Sequence, residues 1–359
     1  MPPSPPHCPF RDCESHRNPG TWRALKKGFY ERLARPRRIQ RYRCSHCGRS
    51  FSSQTFATSY WLRHPQLLKS ILCRIDSCSG LRQIAWELGV SVATVQRHVE
   101  RLGRHCLLLQ EELRPAGAPE EPLVLDGFRS FEFGQYWPFD LNLLIGQSHF
   151  VYDFQDAELR RSGSMRPFQR RKRSRLETLH GRPDPQATRK SVQELLERQL
   201  PPGSSIQLDT DEHRAYPQAI RQLSDRKIEH RTTSSKVRRT PQNPLFPANL
   251  GDLLIRHNGA NQKRETIAFS KRRQGALYRI AIRTVLRNYV KPTSVRRKTP
   301  PPGVAVGAIP RAWTVDDILR QRLLPWRFEL FGWRANCYYA RIPTRPMARC
   351  REHRLQYAA

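Results

Sequence analysis

Between Gly80 and Cys106 the residues Leu81, Ile84, Ala85 and Leu88 recur at helical spacing, Gly89 interrupts them, and Val90, Val95 and Val99 resume an apolar stripe. Two helices about a glycine turn, with a small Ala85 where they cross, predict a helix-turn-helix. Ser91 is placed to cap the second helix. That helix, with Ser91 at its tip, would present Thr94, Gln96, Arg97, Arg101 and Arg104 to a DNA groove and its phosphates. The same spacing also suits an ordinary helical pair in a core, and His98 falls where an apolar residue is commoner. Cys73, Cys78 and Cys106 read as buried thiols of this region.

After a proline-rich break, RPAGAPEEP, the period shortens to that of strands. The runs LVLD, FRSFEFG, FDLNLLIG and SHFVYDF are bounded by turn residues. ATRKSVQELLERQL follows as an amphipathic helix closed by Pro201, Pro202 and Gly203. SIQLDTD and KIEHRTT read as later strands flanking a helix, YPQAIRQL. An arginine-dense insert, RRSGSMRPFQRRKRSR, predicts either a DNA-backbone contact or an unfolded arm. From about Lys291 a basic linker, KPTSVRRKTPPPG, leads into a C-terminal tail where Thr314 and Asp317 form a capping box. Docking on the preceding domain, subunit contact and DNA contact are all open roles for that tail.

Composition narrows the partner. The 359 residues carry 64 Lys and Arg against 31 Asp and Glu, a net charge of +33. Such an excess repels itself in the free chain and gains most by displacing counterions from phosphates. Double-stranded DNA is the expected partner, and 38% hydrophobic residues with seven Trp predict a real core rather than disorder. The segment MPPSPPHCPFRDC has no apolar run, and no stretch approaches the roughly 20 apolar residues of a membrane span. The expected location is the cytoplasm, on the bacterial nucleoid. In a reducing compartment the nine Cys are metal ligands or free thiols rather than disulfides.

Four of those cysteines are spaced as ligands. Cys8 and Cys13 stand in HCPFRDC, and Cys44 and Cys47 form a C-x2-C turn before Gly48 in RYRCSHCGRSF. Four thiolates at tetrahedral geometry make a structural Zn2+ site, which supplies folding energy that a small module lacks. A zinc ribbon over residues 1–58 is the expectation, with His7, His16 or His46 as substitutes for one thiolate.

Three carboxylates stand where one site can collect them. Asp126 ends the run PLVLD, Asp211 follows SIQLDT, and Glu265 opens a basic stretch, NQKRETIAFSKRR, whose helical pattern runs to about Tyr289. Carboxylates from two strands and a helix supply the hard oxygen ligands that hold two Mg2+ (or Mn2+) ions against a phosphodiester. Asp209, two residues before Asp211, shares its face and is the alternative second acid. Lys263, Arg264, Lys271 and Arg272 are the cations nearest the glutamate, and Asn261 is a candidate cap for its helix. Antiparallel strands, a helix, a strand ending in Asp and a late helix carrying Glu follow the order of a ribonuclease H-like domain. The predicted fold is therefore multidomain, mixing α+β and α/β parts. A zinc ribbon (1–58) and a helix-turn-helix (59–115) precede a ribonuclease H-like catalytic domain with a mixed five-stranded sheet (116–291). A basic linker and tail (292–359) complete the chain.

With RYRCSHCGRSFS, VLDGF, TDEHRAYPQAI and NQKRETIAFSKR in that order, most of residues 1–290 resembles bacterial insertion-sequence transposases of the DDE type. The resemblance implies binding of terminal inverted repeats by the first two modules, then metal-dependent cleavage and strand transfer into target DNA. It assigns the three acids to Asp126, Asp211 and Glu265, the second by its distance from Tyr216 in the TD-x4-Y element. It also implies a homo-oligomer, a dimer or larger, because two element ends must be held together. A catalytically inactive DNA-binding regulator and a ribonuclease H-like nuclease or resolvase are the alternatives.

Overall fold

The architecture comes from a computed structural model, which describes every residue except 1–3, 21, 235, 264, 265, 348–350, 356, 358 and 359. A short helix, α1 (Glu14–Arg17), precedes the antiparallel strands β1 (Ala24–Glu31), β2 (Arg38–Cys44) and β3 (Ser50–Ser52), which lie in that order. β1 is exposed along nearly its whole length, so the small sheet buries its apolar residues on the β2–β3 side. Tyr42, Phe51 and Phe56 make that core with the cysteines, and Leu324 from the other end of the chain completes it.

Three helices follow: α2 (Leu67–Ile75), α3 (Leu81–Glu87) and α4 (Val92–Glu112). Gly89 takes φ 61° at the turn, a left-handed conformation that a side chain would strain. Ser91 caps α4 by accepting a hydrogen bond from the Thr94 amide at 3.1 Å. His98 suits its buried position because both ring nitrogens lie 2.8 Å from backbone carbonyls, those of Thr94 and His64. α4 is longer than a recognition helix needs to be, with 21 residues. Its second half, Arg101 to Gln110, is entirely buried. Arg101 and Arg104 therefore do not face a groove, contrary to the expectation from spacing. Arg101 donates to the Thr58 carbonyl at 3.3 Å, and Arg104 sits over the Tyr278 ring.

LVLD and FRSF run on as one strand, β4 (Leu123–Phe131), followed by β5 (Pro138–Gly146) and β6 (Val151–Glu158) in an antiparallel meander. The arginine-dense insert contributes α5 (Pro167–His180), a helix with no buried residue. After α6 (Ala187–Gln199), β7 (Ser205–Thr210) returns parallel to β4. Helix α7 (Ala215–Ile220) then leads to β8 (Lys227–Thr232), parallel to β7. The mixed five-stranded sheet thus has the order β6-β5-β4-β7-β8. All nine residues of β5 are buried, as expected of a strand with both faces covered. α6 covers one face, where Ser191 accepts from Asn142 at 2.9 Å. α8 (Phe246–Asn258) covers the other, packing Leu245 and Ala248 on Val124.

The helix read from residue 265 onward begins later, as α9 (Arg273–Tyr289). Asn261 does not cap it: its side-chain amide donates to Ser270 Oγ at 2.9 Å within the preceding loop. Glu265 and Arg264 lie outside the described residues. α9 crosses α4 so closely that a Cβ on Gly103 would stand 2.4 Å from Cβ of Tyr278. Gly103→Ala is expected to destabilise the protein by about 1–3 kcal/mol or more through overpacking, read as a lower denaturant midpoint at unchanged slope.

The C-terminal segment is part of the body of the protein. α10 (Pro302–Ala305) packs on α9, and α11 (Val315–Arg320) on α2. α11 starts at the expected capping box, with Thr314 Oγ1 accepting from the Asp317 amide at 3.2 Å. α12 (Gly332–Tyr338) lays Trp333 against Phe154 and buries Arg334 between Asp153 and Glu111. Arg198 completes this buried cluster at 2.6 Å from Asp153. Burial alone would raise the Asp153 carboxyl, but Arg198 and Arg334 overcome it and hold the group at about 2. Among the described residues no helix is long and apolar enough to cross a membrane.

Candidate active site and metal centre

Parallel pairing between β4 and β7 ends at Leu125 opposite Thr210. Asp126 and Asp211 are the next residues on these two neighbouring strands, which run about 4.8 Å apart. Asp126 accepts a hydrogen bond from the Gly127 amide at 2.7 Å, and Asp211 accepts one from the His213 amide at 2.9 Å. Behind them lies Tyr216, whose hydroxyl would be 3.2 Å from a Cβ on Gly127, so the strand stays bare at that point. Burial raises the Tyr216 phenol well above its ordinary value, and the Asp126 and Asp211 charges add to the effect.

A third carboxylate comes from α8. Asp252 is raised to about 8, first by burial and then by the charge of Asp126, with Arg256 and Arg239 opposing. Asp126 is itself raised to about 6 by burial and by Asp211. Such mutually raised acids mark a place where negative charge has been concentrated against its own repulsion. The sequence reading did not single out Asp252. The available signal was an acid inside the apolar helical stretch NLGDLLI, where a core position is the norm.

Asp209 is buried, and it accepts from Gln207 Nε2 at 3.0 Å. In the ladder it faces Val124, on the face that α8 covers. Its partner is thus within the sheet, one pleat short of the end where Asp126 and Asp211 stand. Of the cations, Lys263 and Lys271 are exposed, with Lys271 Nζ 3.9 Å from the centre of the Phe269 ring. Arg272 is partly buried just ahead of α9. Ser91 and Arg97 are exposed at the start of α4, with Thr94 and Gln96 partly so.

The three carboxylates suit hard divalent ions by donor type, since all offer oxygen. Among the described residues Asp252 Oδ1 is buried without a hydrogen-bond partner, and a cation is a group that could satisfy it. The group is more open than a closed cage. Among the described residues only the cysteines bring three or more ligand atoms within 4.8 Å of one another.

That second centre holds Cys8, Cys13, Cys44 and Cys47. Sγ of Cys8 lies 3.8 Å from that of Cys47, and Sγ of Cys13 lies 3.9 Å from that of Cys44. A tetrahedron with metal–sulfur bonds of about 2.3 Å has edges of about 3.8 Å, so the quartet fits Zn2+. Burial would raise the Cys44 thiol, but the Cys47 amide and the Trp22 indole N–H, 3.1 Å away, outweigh it and bring it to about 6. Burial drives the Cys8 thiol far upward. His7 and His16 turn their Nδ1 atoms to the Cys8 carbonyl, and His46 reaches toward Glu14, so no histidine replaces a thiolate.

No protein-family model and no curated protein matches the chain. Among solved structures, one similar chain belongs to the cryo-EM structure of the simian T-cell lymphotropic virus intasome in complex with PP2A regulatory subunit B56 gamma. The match covers 69% of this chain and 75% of that one at 12% identity, with a TM-score of 0.25. A superposition that loose carries no argument about the chemistry here.

Proposed function

We propose that the chain is a DNA transposase whose ribonuclease H-like domain cuts and joins phosphodiesters at Asp126, Asp211 and Asp252. The observation that carries this reading is the approach of three acids, from β4, the end of β7 and α8, where the pairing of two interior strands of a mixed sheet ends. Asp126, Asp211 and Asp252 would be the residues that hold Mg2+ or Mn2+ ions. Bound there, such ions lower the pKa of an attacking water or hydroxyl and offset charge on the leaving oxygen. The chain's own residues do the positioning. Tyr216 fills the space behind Asp126, and Arg239 and Arg256 sit near enough to feel the acids and meet phosphate charge. Glu265 is kept as the competing third acid, and substitutions discriminate between the two. The cysteine module, as a zinc ribbon, and the exposed start of α4, with Ser91, Thr94, Gln96 and Arg97, would hold the element ends. A dimer or larger assembly would bring two ends together.

The test uses full-length protein, Mg2+ or Mn2+, and a linear duplex carrying the DNA that flanks the coding region. Wild-type protein is expected to nick at the element boundary and join the freed 3′ end to a target. Asp252→Asn should lose both reactions, while Glu265→Gln keeps them. The reverse pattern would return the third role to Glu265. Salt-sensitive binding with no metal-dependent cutting would replace the enzyme with a DNA-binding regulator.

A further inference from the structure

Beyond Asp126 no strand pairs with β4 on its β7 side, and the open edge borders a cavity of about 640 Å³. The cavity belongs to neither the acids nor the cysteines. Its walls carry Arg129, Arg161, Arg256 and Lys263, and among the described residues no carboxylate lines it. Phe131 and Phe269 supply aromatic surface. The loop that closes it is tied down, since the Phe133 amide donates to the Ser270 carbonyl at 2.9 Å and Asn261 holds Ser270 Oγ.

Gln262 gives the cavity its specificity. The side chain is 97% buried by its 3% exposure, and Ser130 Oγ donates to its Oε1 at 2.6 Å. Nε2 is left without a partner among the described residues, a buried donor in the cavity wall. A ligand with a hydrogen-bonding edge can pair with a buried amide in a cavity wall.

Position then selects the ligand. Arg256 follows Asp252 by one helical turn, about 6 Å along α8, and Ser130 follows Asp126 by about 13 Å along β4. At 3.4 Å per step of a DNA strand, the cavity lies about two to four nucleotides from the acids. Cations at the rim match phosphates, rings match a base face, and the Gln262 amide matches an acceptor on a base edge. A volume in the range of small-ligand pockets admits one nucleotide and excludes a duplex.

We infer that this cavity receives a single unpaired nucleotide of the DNA end, stacked against Phe269 and read by the Gln262 amide. The inference rests on the transposase reading for its ligand, and its test separates the two. Full-length zinc-loaded protein, with no Mg2+ or Mn2+ added, would be titrated with two 30-base-pair duplexes of one sequence. One is fully paired, and the other carries a three-nucleotide single-stranded flap with 2-aminopurine in it. The flap duplex is expected to bind about tenfold more tightly, as the stacking of one base allows, and its 2-aminopurine emission should change. Gln262→Met, which keeps the shape, and Phe269→Ala, which is only partly buried, should each remove the preference and leave affinity for the paired duplex unchanged. Melting curves of both variants report whether they fold. Equal affinity of wild-type protein for both duplexes would overturn the inference, as would a preference that survives both changes. Metal-dependent cutting by wild-type protein is scored separately. Cutting without flap preference removes the nucleotide pocket alone, and flap preference without cutting removes the transposase alone.

Discussion

Asp126→Asn is expected to lower metal-dependent DNA cutting at least about a thousandfold, since several kcal/mol of charge stabilisation are lost at about 1.36 kcal/mol per tenfold. DNA affinity of zinc-loaded protein without added Mg2+ or Mn2+ should stay level or rise slightly, because a negative charge beside phosphates has gone. Asp252→Asn should match it in activity and differ informatively in stability. The Asp252 carboxyl stands at about 8 in the folded protein against an ordinary 3.8. A raised carboxyl contributes stability that is fully present below about pH 4 and is lost as pH rises through about 8. Wild-type protein without metal should therefore fall behind Asp252→Asn by on the order of a few kcal/mol by pH 9, and hardly at all at pH 4. Mg2+ should close that gap for wild type and do nothing for the variant. Thermal melts across pH with and without metal read all four arms. A gap that ignores pH would mean Asp252 is an ordinary helix acid and would remove it from the site.

Removal of the expected Zn2+ should be the largest structural effect. Isolated zinc modules draw about 10–16 kcal/mol of binding free energy into folding. Cys8→Ser, or treatment with a strong chelator, should unfold β1 to β3 and lower the main melting transition by roughly ten degrees or more. Wild-type protein should carry one zinc per chain by metal analysis. Trp22 and Trp326 pack on the same small core, so Trp emission should shift red with the loss. A melting curve unchanged by chelation, in protein shown to have lost its metal, would make the cysteine core self-sufficient.

The parts that could be read in the sequence were local. A C-x2-C turn places two thiolates by backbone geometry alone, and the partners Cys8 and Cys13 are close along the chain to one another. Asp126 and Asp211 were visible as acids ending apolar strands, and parallel pairing at Leu125 and Thr210 is what sets them side by side. Ser91, the Gly89 turn and the Thr314 capping box likewise follow from neighbours within a few residues. What was misread depends on distant packing. Arg101 and Arg104 have the spacing of groove-facing residues, yet α9 and the C-terminal segment cover that part of α4, and no local signal reveals the cover. Asp252 looks like any acid on an amphipathic helix until β4 lies beneath it. The C-terminal segment read as a tail because Arg334 looks solvated until Asp153 and Glu111 surround it.

Leu324 sits at zero exposure in the cysteine module's core, with Trp326 beside it, and the Arg327 guanidinium bonds the His16 carbonyl. The cysteine module is thus finished by residues from a distant segment of the chain. A message cut short before residue 324 would yield a chain with that core open, whatever its metal. If the cysteine module holds DNA as proposed, a chain with that core open would grip it weakly, and closure of the core becomes a condition of binding.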